Sequence, residues 1–170
     1  MSVDVFAADE QADHDVDVER FATLARAVLD AEDLRVDTEV SLLFVDEGAI
    51  AELNTRFLGK SGPTDVLAFP IDEEPDRGGR SPDEGGTGPG SVSAEEDDEM
   101  PGLLGDVVIC PSVAARNAAT HGVPLDDEMA LLVVHGILHL LGMDHVEDAD
   151  AARMEGREQQ LLARFYRRDR

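Results

Sequence analysis

Apolar residues recur at three- and four-residue steps in several stretches of this chain and cluster into short runs between them. Behind Asp17, the spacing of Val18, Phe21, Ala25 and Val28 predicts a capped helix from Val18 to about Leu29. Arg35 to Val45 is rich in Val, Leu and Phe and reads as a strand. Asp46 caps a second predicted helix with Ile50, Leu53 and Phe57 on one face. Gly62-Pro63 forms a turn into a strand over Val66 to Phe69, and Leu103 to Ile109 reads as a third. Ser112 is expected to cap a short helix that ends before Gly122. Pro124-Leu125-Asp126 opens the next helix, where Asp127 and Glu128 complement the positive N-terminal end. From Met129 to Leu141 that helix is apolar almost all round, which predicts a central, buried position. Asp148 is read as the cap of a last helix with Met154, Leu161 and Phe165 on one stripe.

Asp72 to Pro101 breaks the pattern. It has no hydrophobic period, six glycines and four prolines, and reads as a disordered acidic surface insertion. The rest predicts one α+β domain over residues 1–170, a small mixed sheet packed with helices, with no internal repeat.

The central helix carries the candidate chemistry. His-Gly-Ile-Leu-His-Leu-Leu-Gly-Met-Asp-His, residues 135 to 145, holds three of the five histidines. His135 and His139 are four apart, on one helical face and roughly 6 Å apart along the axis. Gly142 tolerates the left-handed backbone that stops a helix and turns the chain back, bringing His145 within reach as a third nitrogen. Three histidines on zinc leave a fourth position for water, as in catalytic sites. The spacing is that of a zincin-like motif, except that Gly136 stands where a peptidase carries its glutamate base. Core histidines satisfied by hydrogen bonds are the plain alternative.

The run H-G-x-L-H-L-x-G-x-D-H resembles the signature of the YbeY endoribonucleases, bacterial rRNA maturation factors. Two further segments agree. Asn54-Thr55-Arg56-Phe57-Leu58 followed by Pro63-Thr64-Asp65-Val66-Leu67-Ala68-Phe69-Pro70 is similar to the family's central block. Leu104-Gly105-Asp106-Val107-Val108-Ile109-Cys110 is similar to its L-G-D strand. The segments stand in the family's order, and the resemblance runs over about residues 35 to 165.

The resemblance implies a single-strand-specific, zinc-dependent endoribonuclease acting in 16S rRNA 3′ end maturation and ribosome quality control. It implies one Zn2+ per chain on His135, His139 and His145, with catalysis through the metal-bound water. Single-stranded RNA or rRNA is the implied partner, with ribosomal proteins as further candidates. The family usually has an arginine after the aromatic of the central block, where this chain has Leu58; Arg56 and Lys60 are the nearby candidates to replace it. Asp144 is a candidate to orient an imidazole or to cap the turn. Asp65 and Asp106 are strand acids with a role either beside the metal or at an edge or cap. His14 and His121 read as surface residues. A non-catalytic zinc-containing ribosome assembly factor, or a zinc peptidase or amidase with its base elsewhere, are the alternatives.

Composition pulls the other way. Fourteen basic against thirty-eight acidic residues give a net charge of −24, whereas a nucleic-acid binder normally shows a basic footprint. Residues 72–101 contribute eleven acids and two arginines, so the acidity is general. Arg164, Arg167, Arg168 and Arg170 form the densest basic cluster, suited to a helix C-terminus or to RNA contact. Cys110, the sole cysteine, reads as a small buried apolar residue and excludes an intrachain disulfide. With no secretory signal before Val18 and no membrane span, a cytoplasmic protein is expected.

Overall fold

The computed structural model describes residues 3–32, 37–70, 102–143 and 148–166. The expected insertion at 72–101, His145, Asp144 and Arg167, Arg168 and Arg170 lie outside them. In chain order the elements are β1 (Val3–Asp9), α1 (Val18–Ala31), β2 (Thr38–Phe44), α2 (Glu47–Leu53), a π-helical turn (Asn54–Leu58), β3 (Val66–Pro70), β4 (Gly102–Ile109), α3 (Pro111–His121), α4 (Leu125–Leu140) and α5 (Asp148–Phe165). The result is an α+β fold with a four-stranded mixed sheet in the order β1-β2-β4-β3. β1 and β4 run parallel to β2, and β3 pairs antiparallel to β4 as an edge strand.

One strand had no counterpart in the sequence reading. β1 pairs with β2 from Val3↔Thr38 to Asp9↔Phe44. Val3, Val5 and Ala7 pack on the core, while Asp4 and Phe6 face outward. Only three small apolar side chains face inward, so the alternation is faint within an acidic N-terminus.

Two helix caps expected from the sequence are present. Asp17 Oδ1 accepts from the Arg20 N–H at 3.2 Å, and Asp46 Oδ1 from that of Ala49 at 2.8 Å. Each such bond satisfies a helix-end donor and contributes about 1 kcal/mol. The expected Ser112 cap is not formed. α3 begins two residues earlier, with Cys110 in extended conformation as the cap and Pro111 opening the helix, so no side chain caps this end. Pro111 lacks the N–H that a cap would satisfy, and its fixed φ suits the first helical position.

The core lies between one sheet face and α1, α4 and α5. Phe21, Leu24, Val28 and Leu29 of α1 meet Val40, Leu42 and Phe44 of β2 and the apolar run of α4. Burying each such side chain stabilises the fold by about 1.5–3 kcal/mol. α4 is central and buried, as its all-round apolarity predicts. The opposite sheet face carries a smaller cluster of Val45, Ile50, Leu67, Val108 and Cys110. Burial pushes the Cys110 thiol up from its ordinary value, as expected of an inert core residue.

α5 is tied down near its middle and at its C-terminal end. The Arg157 guanidinium donates to Glu32 Oε2 at 2.9 and 2.5 Å, linking α5 to the end of α1. The Tyr166 hydroxyl donates to Asp127 Oδ1 at 3.0 Å, with the Arg20 guanidinium 4.5 Å from its ring centroid. Burial, then the hydrogen bond to Asp127, pushes the Tyr166 phenol from 10.0 up to about 12. A raised folded-state pKa means that this contribution to stability is complete below pH 10 and is lost as pH rises towards 12. Tyr166 is the sole tyrosine and there is no tryptophan, so tyrosinate absorbance reads it directly. Its midpoint should lie near 12 in the folded chain. Tyr166→Phe should flatten the alkaline fall in melting temperature. A midpoint at the ordinary value would show that Asp127 and burial do not hold the phenol.

Candidate active site

The register of α4 against the sheet decides which way its histidines face. A Cβ built at Gly136 would sit 2.7 Å from Val107 Cγ1 and 3.2 Å from Cγ2, so the helix backbone meets β4 at that residue. With Gly136 turned to the sheet, His135 and His139 open onto a cleft of about 290 Å³ between α4 and edge strand β3. Leu58, Asp65, Val66 and Ala68 form its other wall. The two imidazoles lie 4.7 Å apart, centroid to centroid, at 77°. Beyond them α4 ends as the glycine predicts. Gly142 takes φ +100°, its N–H reaching the His139 carbonyl at 3.0 Å and the Met143 N–H the Leu138 carbonyl at 3.0 Å. This paired closure satisfies the last carbonyls and turns the chain immediately before residues 144–147.

His135 has a partner that the sequence did not announce. Its Nδ1 lies 2.5 Å from Oε2 of Glu158, a buried carboxylate on α5. A second imidazole–carboxylate pair stands further along α4, where His121 Nδ1 is 3.0 Å from Oε1 of buried Glu128. Both pairs line an adjoining cleft of about 360 Å³, together with Asp65 and Asn117. His121 is thus exposed but engaged, rather than a bare surface residue. Glu128 and His135 are seven residues apart, two turns along one helix face; that spacing was the only sequence signal linking them. Nothing local marks Glu158, which reaches His135 across 23 residues of chain.

Asp65 joins this site and Asp106 does not. Asp65 lines both clefts; its Oδ2 accepts from Asn117 Nδ2 at 3.1 Å, and its carbonyl from the Cys110 N–H at 2.9 Å. Asp106 precedes Val107 in β4 and therefore points to the other sheet face. There it lines a separate apolar cleft of about 540 Å³ with Phe57, Leu58 and Phe69. Of the two roles left open for the strand acids, Asp106 is thus not beside the histidines.

The π-helical turn corrects one expectation. Phe57 does not continue the buried face of Ile50 and Leu53, because the wider turn rotates the residues that follow. It is 58% exposed and rests its ring 5.3 Å from that of Phe69. Buried Asn54 holds the loop by donating to the Gly62 carbonyl at 3.0 Å, and Thr55 donates to the Lys60 carbonyl at 2.9 Å. This frame puts Leu58, 51% exposed, at the lip of the histidine cleft. Neither Arg56 nor Lys60 lines that cleft; the Arg56 guanidinium lies 5.8 Å from the centroid of the Phe57 ring.

Two imidazoles on one helical face, backed by a carboxylate, suit a borderline metal such as zinc. Among the described residues no group of three His, Cys, Asp or Glu side chains is arranged to hold a metal ion. The third candidate, His145, lies outside them.

Comparison with known proteins gives this arrangement a context. The family described as Endoribonuclease YbeY matches residues 6–166. The chain belongs to the YbeY family. It is 44% identical to the Endoribonuclease YbeY of Frankia casuarinae, covering 94% of this chain and 73% of that protein. To that of Nocardioides it is 41% identical over 99% and 100%, and to that of Thermobifida fusca 44% over 98% and 96%. A solution structure of a Thermotoga maritima protein shares the fold at a TM-score of 0.57 and 24% identity, covering 95% of this chain and 89% of that one. Among the described residues no helix is long and apolar enough to cross a membrane.

The Gly136–Val107 contact separates this YbeY chain from a peptidase of similar histidine spacing. A glutamate at 136 would have to enter the core between α4 and β4. Even one methyl should be costly: overpacking costs about 1–3 kcal/mol, against about 1 kcal/mol gained in helix propensity. Gly136→Ala should therefore lower the urea midpoint, and adding Val107→Ala should recover part of that loss beyond additivity. Purely additive effects would show that the close approach does not limit this position.

Proposed function

We propose that this chain is a zinc-dependent endoribonuclease of the cytoplasm that cuts single-stranded RNA, with 16S rRNA 3′ end maturation and ribosome quality control as its setting. His135, His139 and His145 are the proposed ligands of one zinc ion per chain. The observation that carries this reading is the pair of facing imidazoles in a cleft, one of them held by a buried carboxylate, within a YbeY sequence. Zinc bound there would supply Lewis acidity to a phosphate oxygen or to water at neutral pH. The chain's own contribution is to hold the imidazoles and wall the cleft with Asp65 and β3. Because Leu58 offers no charge at the lip, we assign Arg56 or Lys60 to the phosphate, each reached by extension of a long side chain. Ribosomal proteins are further proposed partners.

Metal analysis of purified protein should give one zinc per chain, lost in His135→Ala, His139→Ala or His145→Ala together with single-stranded RNA cleavage. Their melting temperatures should fall, since metal-binding energy is also folding energy. Absence of any bound transition metal in wild type would sink the reading. Zinc with no RNA cleavage would mark a structural metal in an assembly factor, and cleavage of casein a peptidase.

Position 58 tests the cation. Arg56→Ala or Lys60→Ala should cut RNA cleavage at least severalfold while leaving zinc content unchanged. Leu58→Arg should add a phosphate contact whose benefit shrinks as salt rises, because it adds to counterion release. Cleavage unchanged in all three variants would show that no cation in this loop serves the phosphate.

A further inference from the structure

We infer that the apolar cleft on the far side of β3 is a subsite for one unstacked nucleobase of a single-stranded RNA whose backbone crosses the lip of the histidine cleft, with Phe57 as the stacking surface. The occupant rests on the nuclease reading; the place rests on geometry. Leu58 and Ala68 line both clefts, so the two are continuous over edge strand β3. Four large apolar side chains stand exposed among the described residues, and two of them, Phe57 and Leu58, are neighbours at this junction. The π-helical turn presents them, and the hydrogen bonds of Asn54 and Thr55 hold that turn in place.

The lining decides which part of a nucleotide enters. Leu43, Leu53, Phe69 and Val108 offer apolar surface, and the one charged group is Asp106. Asp106 is the register partner of Phe69, so carboxylate and ring project from one sheet face as cross-strand neighbours. A phosphate would meet an acid there and no cation. A base is neutral, with a face to stack on Phe57 and an N–H edge to donate to Asp106. Arg56 does not line the cleft; its guanidinium lies 5.8 Å from the Phe57 ring centroid, so the cation is placed for the backbone outside. At about 540 Å³ the cleft falls within the roughly 300–1,000 Å³ of small-molecule pockets. A duplex keeps its bases paired and stacked and has none to insert, which makes this subsite a source of single-strand preference.

The test uses the protein as purified and a fluorescein-labelled single-stranded 2′-O-methyl RNA, which resists cleavage and is short enough to bind in one register. Binding is read by anisotropy while one abasic residue is walked along the strand, every phosphate staying in place. Wild type should lose affinity about 5- to 100-fold at one position. Phe57→Ala should lose as much with the intact strand and nothing further at that position. The loss should be equal at low and high salt, because no phosphate contact is removed. The chain has no tryptophan, so Phe57→Trp supplies a single indole. Its emission should be quenched by the intact strand and spared by the strand abasic at that position. There guanine, with two adjacent N–H donors, should bind tighter than adenine, and Asp106→Ala should level the two. The Phe57 ring is 58% exposed, so Phe57→Ala should keep the wild-type melting temperature and zinc content.

Equal losses at every abasic position, or none, would overturn the inference. So would wild-type affinity of Phe57→Ala for the intact strand. A guanine preference that survives Asp106→Ala, or is absent from wild type, would remove Asp106 from the subsite. Failure to bind any strand would refute the subsite too and leave the cleft to a protein segment. RNA cleavage without a position-dependent loss refutes the subsite and leaves the nuclease reading standing; a position-dependent loss in a protein that cleaves no RNA does the reverse.

Discussion

The close approach of α4 to β4 is the constraint on which the rest of the site depends. Gly136 lets the helix backbone settle against Val107, and that contact fixes the rotation of α4 about its axis. His135 then reaches Glu158 on α5, His139 lines the cleft, and the remaining turns bury Met129, Val133, Ile137 and Leu138. A one-residue change in this rotation would swing the imidazoles by about 100°, given 3.6 residues per turn. β4 reinforces the same geometry from below. Gly105 adopts φ +150° where a Cβ would sit 2.3 Å from the Phe69 carbonyl and 2.8 Å from Leu140 Cδ2. Two glycines, one on each element, thus set the distance between the histidine helix and the sheet edge that forms the far wall of the cleft.

The order in which features were legible follows from how local their causes are. The helix ends at Asp17, Asp46 and Gly142 are set by contacts within four or five residues, and the sequence shows them. His135 and His139 share a face because one helix carries both. β1 was missed because its identity depends on pairing with β2 across 35 positions, with only Val3, Val5 and Ala7 to signal it. Phe57 was misplaced because a π-helical turn interrupts the period that any helical reading assumes. Glu158 was invisible for a related reason. Nothing in Arg157-Glu158-Gln159 distinguishes a buried acid from the many exposed ones; only the docking of α5 does.

The strong acidity of the chain becomes intelligible at the site itself. Each carboxylate that lines the two clefts is engaged by a neutral or cationic partner: Asp65 by Asn117, Glu128 by His121 and Glu158 by His135. The rest of the acidic excess lies elsewhere in the sequence, with eleven acids in residues 72–101. A polyanion approaching the histidines therefore meets a locally compensated surface within a repulsive whole. Such a field slows encounter and leaves few counterions to release, so binding has to come from short-range contacts more than from steering. Leu58 fits this balance. An apolar side chain at the lip, beside Phe57 and Phe69, adds surface on which an unstacked base can rest, and base–aromatic stacking contributes about 1–3 kcal/mol without any charge. In this chain the cleft depends on the placement of a few groups by two close-packed elements, and the overall charge restricts which substrates stay long enough to use it.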